Sequence, residues 1–261
     1  MPFMSKVKLA VLISGGGTNL QAIIDAIAQK KINAEIVCVG SNKPDAYGLE
    51  RAKKAGIATF FLNYKEAKES FQQEDAWLSY FNEREQATNL SPNNSPFRRM
   101  NQEELTSRII AEKLLLEKLA QFKVDFLVCA GFMKLLTPFF MEQFQPDPLK
   151  PRIINIHPAL LPAFPGTDGY GDAYSYGTKV HGATVHFVDY GVDSGPIIDQ
   201  SCYRRLSNES EDSFKSRGLE LEWELYVKCL KLLCEKRLKI FRNSSKRIIV
   251  EEMPKRKFNP H

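Results

Sequence analysis

An amide and an imidazole stand two residues apart in "INIHPALLP" (154–162). On an extended strand, residues i and i+2 share a face, so Asn155 and His157 point the same way. Pro158 then closes the strand, because it has no N–H to give to a ladder. Thirty-six residues after His157, the turn-rich stretch "DYGVDSGPII" (189–198) brings in Asp193. An acid on such a loop can reach a strand-tip imidazole. The three together suit an amine attacking a carbonyl carbon. Asn155 would donate to the developing oxyanion, His157 would carry the proton the amine loses, and Asp193 would hold the imidazolium. No Ser or Cys occupies a nucleophile elbow, which favours direct transfer over an acyl-enzyme. Residues of these types also fall at such spacings by chance, and a His before Pro is a common turn residue. The residues alone therefore leave both readings open.

A second stretch with chemical content is "SGGGTNLQ" (14–21). Consecutive glycines allow a tight turn that gathers N–H groups, and the helix start behind them adds positive potential. Thr18 and Asn19 add side-chain donors. Leu20 stands where a GxGxxG fingerprint needs its third glycine, and the Lys of a Walker A loop is missing. The pattern predicts a cradle for one phosphate or a similar small anion, formed by Gly16, Gly17, Thr18 and Asn19. The bland alternative is a plain tight turn.

These residues need a scaffold, and the flanking sequence describes one. "LAVLI" is a strand buried on both faces, and from Leu20 apolar residues recur at Ile23, Ile24 and Ile27, which is helical spacing. "AEIVCVGSN" (34–42) reads as a strand, "AYGLERAKKAGI" as a helix ending at Gly56, and "ATFFLN" as a short strand. Such alternation predicts an α/β fold with a doubly wound, mostly parallel sheet and helices on both faces. Residues 64–107 break the rhythm. They read as a polar insertion with a short helix around Trp77–Phe81 and a mobile tip at 88–97. The pattern resumes with a helix at 108–122, a strand at 124–132, a helix at 135–144 and a strand at 152–157. Strands at 182–189 and 195–205 and a helix at 210–238 follow. The expected organisation is one domain over 1–240 and a tail over 241–261.

Bulk composition excludes several classes. The chain has 261 residues, 43% hydrophobic and 26% charged, with no apolar run long enough to span a membrane. The apolar stretch near the start is too short for an export signal. Five scattered cysteines without a CxxC pair fit a reducing cytoplasm, and argue against disulfides and a zinc site. The net charge of +5 lies largely in the last thirty or so residues, without the aromatic–basic interleaving of a nucleic-acid reader. A solvated amphipathic helix, a strand and a frayed end account for it.

In order along the chain, "LISGGGTNLQAIID", "SNKPDAYGLERAKKAGI", "VCAGFMKLL", "INIHPALLPAFPG" and "HGATVHFVDYGVDSGPII" resemble the phosphoribosylglycinamide formyltransferases. These are the folate-dependent transformylases of purine synthesis. The likeness covers roughly 1–63 and 108–240. It implies a Rossmann-like sheet and transfer of a formyl group from 10-formyltetrahydrofolate to the amine of glycinamide ribonucleotide. By this resemblance Asn155, His157 and Asp193 are catalytic, and Gly17, Thr18 and Asn19 form the phosphate turn. Glu222 contacts the ribose. Met133, Leu136, Val188 and the 189–193 loop, which begins at Asp189, form the pterin cleft. No metal is implied, and the partners are small molecules rather than nucleic acid or membrane. A monomer and a homodimer both remain open.

The chain also departs from the family pattern. Lys134 stands beside the folate where an Arg is frequent, so a forked contact becomes a point charge. "TDGYGDAYSYG" (167–177) replaces a segment richer in His and Arg, which puts a lid over the site in doubt. Val227 replaces a common Pro, a packing change. His186 is expected to be structural beside Asp193 rather than catalytic, and His181 to be a turn residue. Among relatives of the same core, methionyl-tRNA formyltransferase carries a C-terminal barrel, for which the about 55 residues after Arg205 are too few. Formyltetrahydrofolate deformylase carries a regulatory domain ahead of the first strand. A binding-only sensor would not need the Asn–His–Asp relay. If 88–97 is a solvated tip, replacing it with a Gly-Ser link should barely change the melting temperature, since each doubling of loop length costs only ~0.6 kcal/mol. Thermal melts and gel filtration would check this.

Overall fold

The computed structural model describes residues 5–64, 97 and 100–255. Seven strands form one sheet in the order β3-β2-β1-β4-β5-β6-β7. They are β1 (Val7–Ile13), β2 (Ala34–Ser41), β3 (Thr59–Phe61), β4 (Phe126–Cys129), β5 (Ile153–His157), β6 (Val180–Phe187) and β7 (Ile197–Arg204). The first five run parallel; β6 and β7 pair antiparallel. Among the described residues six helices accompany them: α1 (Thr18–Ala28), α2 (Tyr47–Lys54), α3 (Gln102–Phe122), α4 (Pro138–Phe144), α5 (Gly169–Tyr176) and α6 (Glu211–Cys234).

Alternation along β1 builds the two faces. Leu9, Val11 and Ile13 point into a core shared with Leu20 and Ile23 of α1 and with Leu225, Tyr226 and Leu230 of α6. Ala10 and Leu12 point the other way, against Leu115 and Leu119 of α3 and Phe140 and Met141 of α4. The Tyr226 hydroxyl ties α6 across the sheet, 2.9 Å from the Cys129 carbonyl and 3.2 Å from that of Ile154. Val227, the residue standing for a common Pro, is half-buried at the edge of this core.

Several element boundaries differ from those read in the sequence. Periodicity starts the third helix at 108, but α3 begins at Gln102. Asn101 caps it by accepting from the Glu104 N–H at 2.8 Å, and Glu103 and Glu104 sit in its first turn, where the helix dipole favours them. Phe97, placed in a mobile tip, is buried against Leu105, Ile109 and Phe139; a shortened loop must stop before it. The helix read at 77–81 lies outside the described residues. β4 ends early because the chain turns at Gly131, which has φ of 78°. α4 starts at Pro138, behind a Thr137 cap. α6 stops at Cys234, and Lys236 adopts φ of 53°. Beyond it β8 (Leu238–Arg242) and β9 (Ile248–Glu252) form an antiparallel hairpin, so a division at 240 would cut a strand. "LKIFR" and "IIVEE" are extended segments around the turn formers "NSSK". His181 lies within β6 rather than at a turn. It is buried against the rings of Tyr170, Tyr203 and Phe214, with centroids 4.9 to 5.7 Å away.

Glu112 is the most buried acid of α3, with no exposed surface. Its Oε1 accepts the Thr137 N–H at 2.9 Å, and its Oε2 meets the Thr137 hydroxyl, so it fixes the point where the loop after β4 becomes α4. Burial pushes this carboxyl up to about 8. A carboxyl raised in the fold favours the folded state at low pH, and this stability is lost as pH rises from the ordinary carboxylate range through about 8. The His181 ring is depressed by burial from its ordinary 6.5 to about 4, so it acts with the opposite sign: its contribution is present above 6.5 and is lost as pH falls towards 4. Glu112→Gln should therefore gain stability relative to the parent between pH 5 and 8, as ~pH-dependent melts would show. Glu112→Ala should cost ~1–3 kcal/mol at neutral pH, because Thr137 loses its partner.

Candidate active site

The sheet order reverses between β1 and β4, and ligands of doubly wound sheets bind in the crevice at the carboxyl ends of such strands. Here the ends of β1, β4 and β5 open into a cleft of about 590 Å³. β1 delivers the glycine turn, β4 delivers residues 130–136, and β5 delivers Asn155 and His157. All the site residues named from the sequence line this cleft: Gly16, Gly17, Thr18, Asn19, Met133, Lys134, Leu136, Asn155, His157, Val188, Asp189, Asp193 and Glu222.

At the tip of β5, His157 is 2% exposed and its Nδ1 lies 3.3 Å from Asp193 Oδ2. Its Nε2 lies 2.7 Å from the Phe164 carbonyl. Both ring nitrogens thus face oxygens that only accept. A neutral ring has one N–H and satisfies one of them; a second proton would satisfy both. Asp193 sits at a left-handed backbone position, φ 49°, and also accepts the Gly166 N–H at 2.9 Å, which links the two loops flanking the cleft. Thr184 of β6 steadies the chain beyond His157: its hydroxyl donates to the Ala159 carbonyl at 2.7 Å and accepts the Leu161 N–H at 3.0 Å.

His186 joins the two arms. Its Nδ1 donates to the Phe187 carbonyl at 2.9 Å, so Nε2 is free to accept from Asn155 Nδ2 at 3.3 Å. Burial depresses its pKa, which favours this neutral, accepting form. One amide hydrogen of Asn155 is held by His186 and the other stays available to the cleft. Nε2 also lies 3.7 Å from Asp193 Oδ1, beside the acid as the sequence pattern places it.

At the other end, Gly17 caps α1 with φ of 70° and no side-chain cap. A Cβ there would lie 2.7 Å from Gly48 Cα, whereas one on Gly15 or Gly16 would meet no atom within 4 Å. Tight turning and packing against α2 explain Gly17, but leave the other two glycines unexplained. Asn19 differs from its expected use. Its side-chain N–H donates to Glu222 Oε2 at 2.8 Å, and its buried Oδ1 has no partner. The Glu222 bond takes one of the two amide hydrogens of Asn19, so donation from Asn19 to an anion is left to its backbone N–H and its second amide hydrogen. Glu222, buried on α6, also accepts from the Tyr170 hydroxyl. Burial raises its carboxyl, and the two donors oppose that shift.

The remaining wall carries Met133, Lys134, Leu136, Val188 and Asp189. The Met133 N–H donates to Ser14 Oγ at 2.8 Å, which couples this wall to the glycine turn. Asp189 accepts from the Gly191 N–H at 3.1 Å and the Ser194 hydroxyl at 2.7 Å, so it shapes the loop leading to Asp193. Lys134 Nζ stands 5.7 Å from the centre of the Tyr64 ring.

Sequence reasoning missed Tyr170 and the helix that carries it. α5 is capped by Asp168, which accepts the Gly171 N–H at 3.1 Å, and it stops at left-handed Gly177. An Asp nine residues ahead of a Gly was the available signal. Lys215 and Leu219 of α6, two turns and one turn before Glu222, also line the cleft and were not singled out. Among the described residues, no group of three or more His, Cys, Asp or Glu is placed to hold a metal ion.

Comparison with known proteins gives the class first. The profile of the formyl transferase family matches residues 7–90 and 82–230. The phosphoribosylglycinamide formyltransferase of Haemophilus influenzae is 37% identical over 233 residues, 89% of this chain and 90% of its own length. That of Escherichia coli is 34% identical over 239 residues, 92% of each chain. The crystal structure of glycinamide ribonucleotide transformylase 1 from Symbiobacterium toebii superposes with a TM-score of 0.73 at 31% identity, over 97% of this chain and 98% of that one. The chain belongs to the formyl transferase family, on the branch of the phosphoribosylglycinamide formyltransferases.

The glycines separate turn from cradle. Gly17→Val should lower the melting temperature, because it strains a positive φ and meets Gly48. Gly16→Val should leave melting unchanged and weaken binding of inorganic phosphate. Thermal melts and phosphate titrations of the two variants check both halves.

Proposed function

We propose that this protein transfers the formyl group of 10-formyltetrahydrofolate to the amine of glycinamide ribonucleotide in purine synthesis. One observation carries the reading: Asn155, His157 and Asp193 converge at the middle of a single cleft, between a glycine turn with Glu222 at one end and an apolar wall at the other. This is the layout a two-substrate transfer requires. The ribonucleotide phosphate lies on the N–H groups at Gly16, Gly17, Thr18 and Asn19. The ribose hydroxyls donate to Glu222, which lines this end of the cleft. The pterin lies against Met133, Leu136, Val188 and Asp189, with Lys134 towards the acidic tail of the folate.

The substrate amine then attacks the formyl carbon, and the carbonyl oxygen becomes an oxyanion. Asn155 donates its free amide hydrogen to it; one such donor in a dry site contributes ~3 kcal/mol to barrier lowering. The amine proton passes to the relay of His157 and Asp193. The new N–H···O contact of an imidazolium with Asp193 compensates for its burial. As the bond from the formyl carbon to folate N10 breaks, a proton returns to N10 and tetrahydrofolate leaves. His157 Nε2 is held by Phe164, so the ring acts through its charge and its Nδ1 side unless that contact opens.

The same cleft also suits hydrolysis of the formyl folate, the deformylase reaction, with water in place of the amine. The protein is read as a cytoplasmic enzyme of small molecules, a single formyltransferase domain, without metal and as a monomer or homodimer. The basic groups at its C-terminal hairpin are paired with acids of β9, as in Arg237 with Glu252 at 2.5 Å and Lys239 with Glu251 at 3.9 Å, which speaks against a nucleic-acid surface. Absorbance on mixing protein, 10-formyl folate and ribonucleotide tests the reading, with a no-amine control for hydrolysis. Asn155→Ala, His157→Ala and Asp193→Asn should each lower turnover at least ~10²-fold with the fold intact, and their combination should fall short of additive. A variant that keeps near-parental turnover removes that residue from the relay.

A further inference from the structure

We propose that Arg51 of α2 is a positioning residue that aims the N–H groups of the glycine turn into the cleft. The inference rests on the anion reading of that turn. Arg51 does not line the cleft. Its Nε donates to the Gly16 carbonyl at 2.9 Å, and its Nη1 donates to the Gln21 side-chain oxygen at 3.2 Å. Three residues earlier on the same helix, the Gly48 N–H donates to the Gly15 carbonyl at 3.0 Å. Two consecutive carbonyls of the turn are thus held on the α2 side.

A trans peptide sends its C=O and its N–H in opposite directions. Holding the Gly15 carbonyl therefore turns the Gly16 N–H away from α2, and holding the Gly16 carbonyl does the same for the Gly17 N–H. Residues 15–17 line the cleft, so these two N–H groups join the free first turn of α1 as successive donors, the arrangement that binds anions. The approach of α2 needs glycine on both sides: a Cβ on Gly17 would meet Gly48, and one on Gly48 would meet Ile13 Cδ1 at 2.4 Å. The fork of Arg51 reaches α1 and the turn at once, while its guanidinium carbon lies 5.0 Å from the centre of the Tyr47 ring. A lysine keeps the charge but cannot supply two donors in that fixed geometry.

The test compares the parent with Arg51→Lys and Arg51→Gln. Inorganic phosphate is titrated by ³¹P line width, and the amide shifts of Gly16 and Gly17 are followed in ¹⁵N-labelled protein. Both variants should bind phosphate about tenfold more weakly, the loss of one positioned hydrogen bond. Both should lose the phosphate-induced shifts of the two amides. In turnover, KM for the ribonucleotide should rise about tenfold, with KM for the folate and kcat nearly unchanged. Parental phosphate binding in Arg51→Lys overturns the proposal, leaving charge alone or no role. An equal rise in folate KM also overturns it, as the sign of general loosening. The two failures separate cleanly. If phosphate binding responds but the ribonucleotide is not formylated, the proposed function fails and the positioning role stands. If the ribonucleotide is formylated with its KM untouched by Arg51→Lys, the reverse holds.

Discussion

Strand order turns back between β1 and β4, and the whole cleft depends on that reversal. A helix after β1 packs on one face of the sheet and the helices around β4 on the other, so the chain parts at the carboxyl ends of these strands. Three loops leave from this one edge. They bring a donor-rich turn, an apolar wall and a pair of polar side chains within one substrate length, although the sequence separates them by more than a hundred residues. The switch to antiparallel pairing at β6 adds what a parallel strand could not: His186 lies directly opposite Asn155 in the ladder, and Thr184 opposite His157. Asn155 is thus held by its cross-strand neighbour, and Thr184 fixes the backbone just beyond His157.

This arrangement buries polar groups, and they are costly unless paired. The structure pairs most of them with one another. Glu222 takes donors from Asn19 and Tyr170, Asn155 leans on His186, and Asp193 faces two imidazoles and a backbone N–H. The shared network makes each side chain stiff before a ligand arrives, which is the condition for electrostatic stabilisation of a charge that forms only during reaction. Among the described residues Asn19 Oδ1 is left without a partner, as are Tyr64 Oη, His181 Nε2 and Trp223 Nε1.

Much of this was legible in the sequence because it obeys local rules. A continuous apolar run marks β1, period 3.6 marks α1 and period two marks β5, and a run of glycines between a strand and a helix has few meanings. The spacing of Asn155 and His157 fixes their common face before any tertiary contact is known. What escaped was non-local or carried by side chains of ordinary type. Tyr170 reaches Glu222 only because Gly218 leaves room: a Cβ there would sit 2.3 Å from the Tyr170 ring. No pattern within either segment announces that fit. The start of α3 escaped for another reason: its first turn is polar, and its helix is signalled by a cap and two acids rather than by an apolar stripe.

The departures from the family pattern can now be weighed by what surrounds them. The stretch 167–177, where the family pattern is richer in His and Arg, forms a capped helix whose Tyr170 hydroxyl donates to the buried Glu222. The segment therefore remains part of the site, and its contact is a phenol that stays protonated rather than an imidazole that titrates near neutrality. Lys134 is a different case. It sits at the open end of the cleft, beside the exposed Met133 and the ring of Tyr64, where solvent screens a point charge and no fixed partner demands a forked donor. A change there alters one point charge on the cleft wall. A change at Tyr170 alters the geometry of a buried carboxylate that lines the cleft. The two substitutions are equally visible in the sequence, and burial is what makes the second the weightier one.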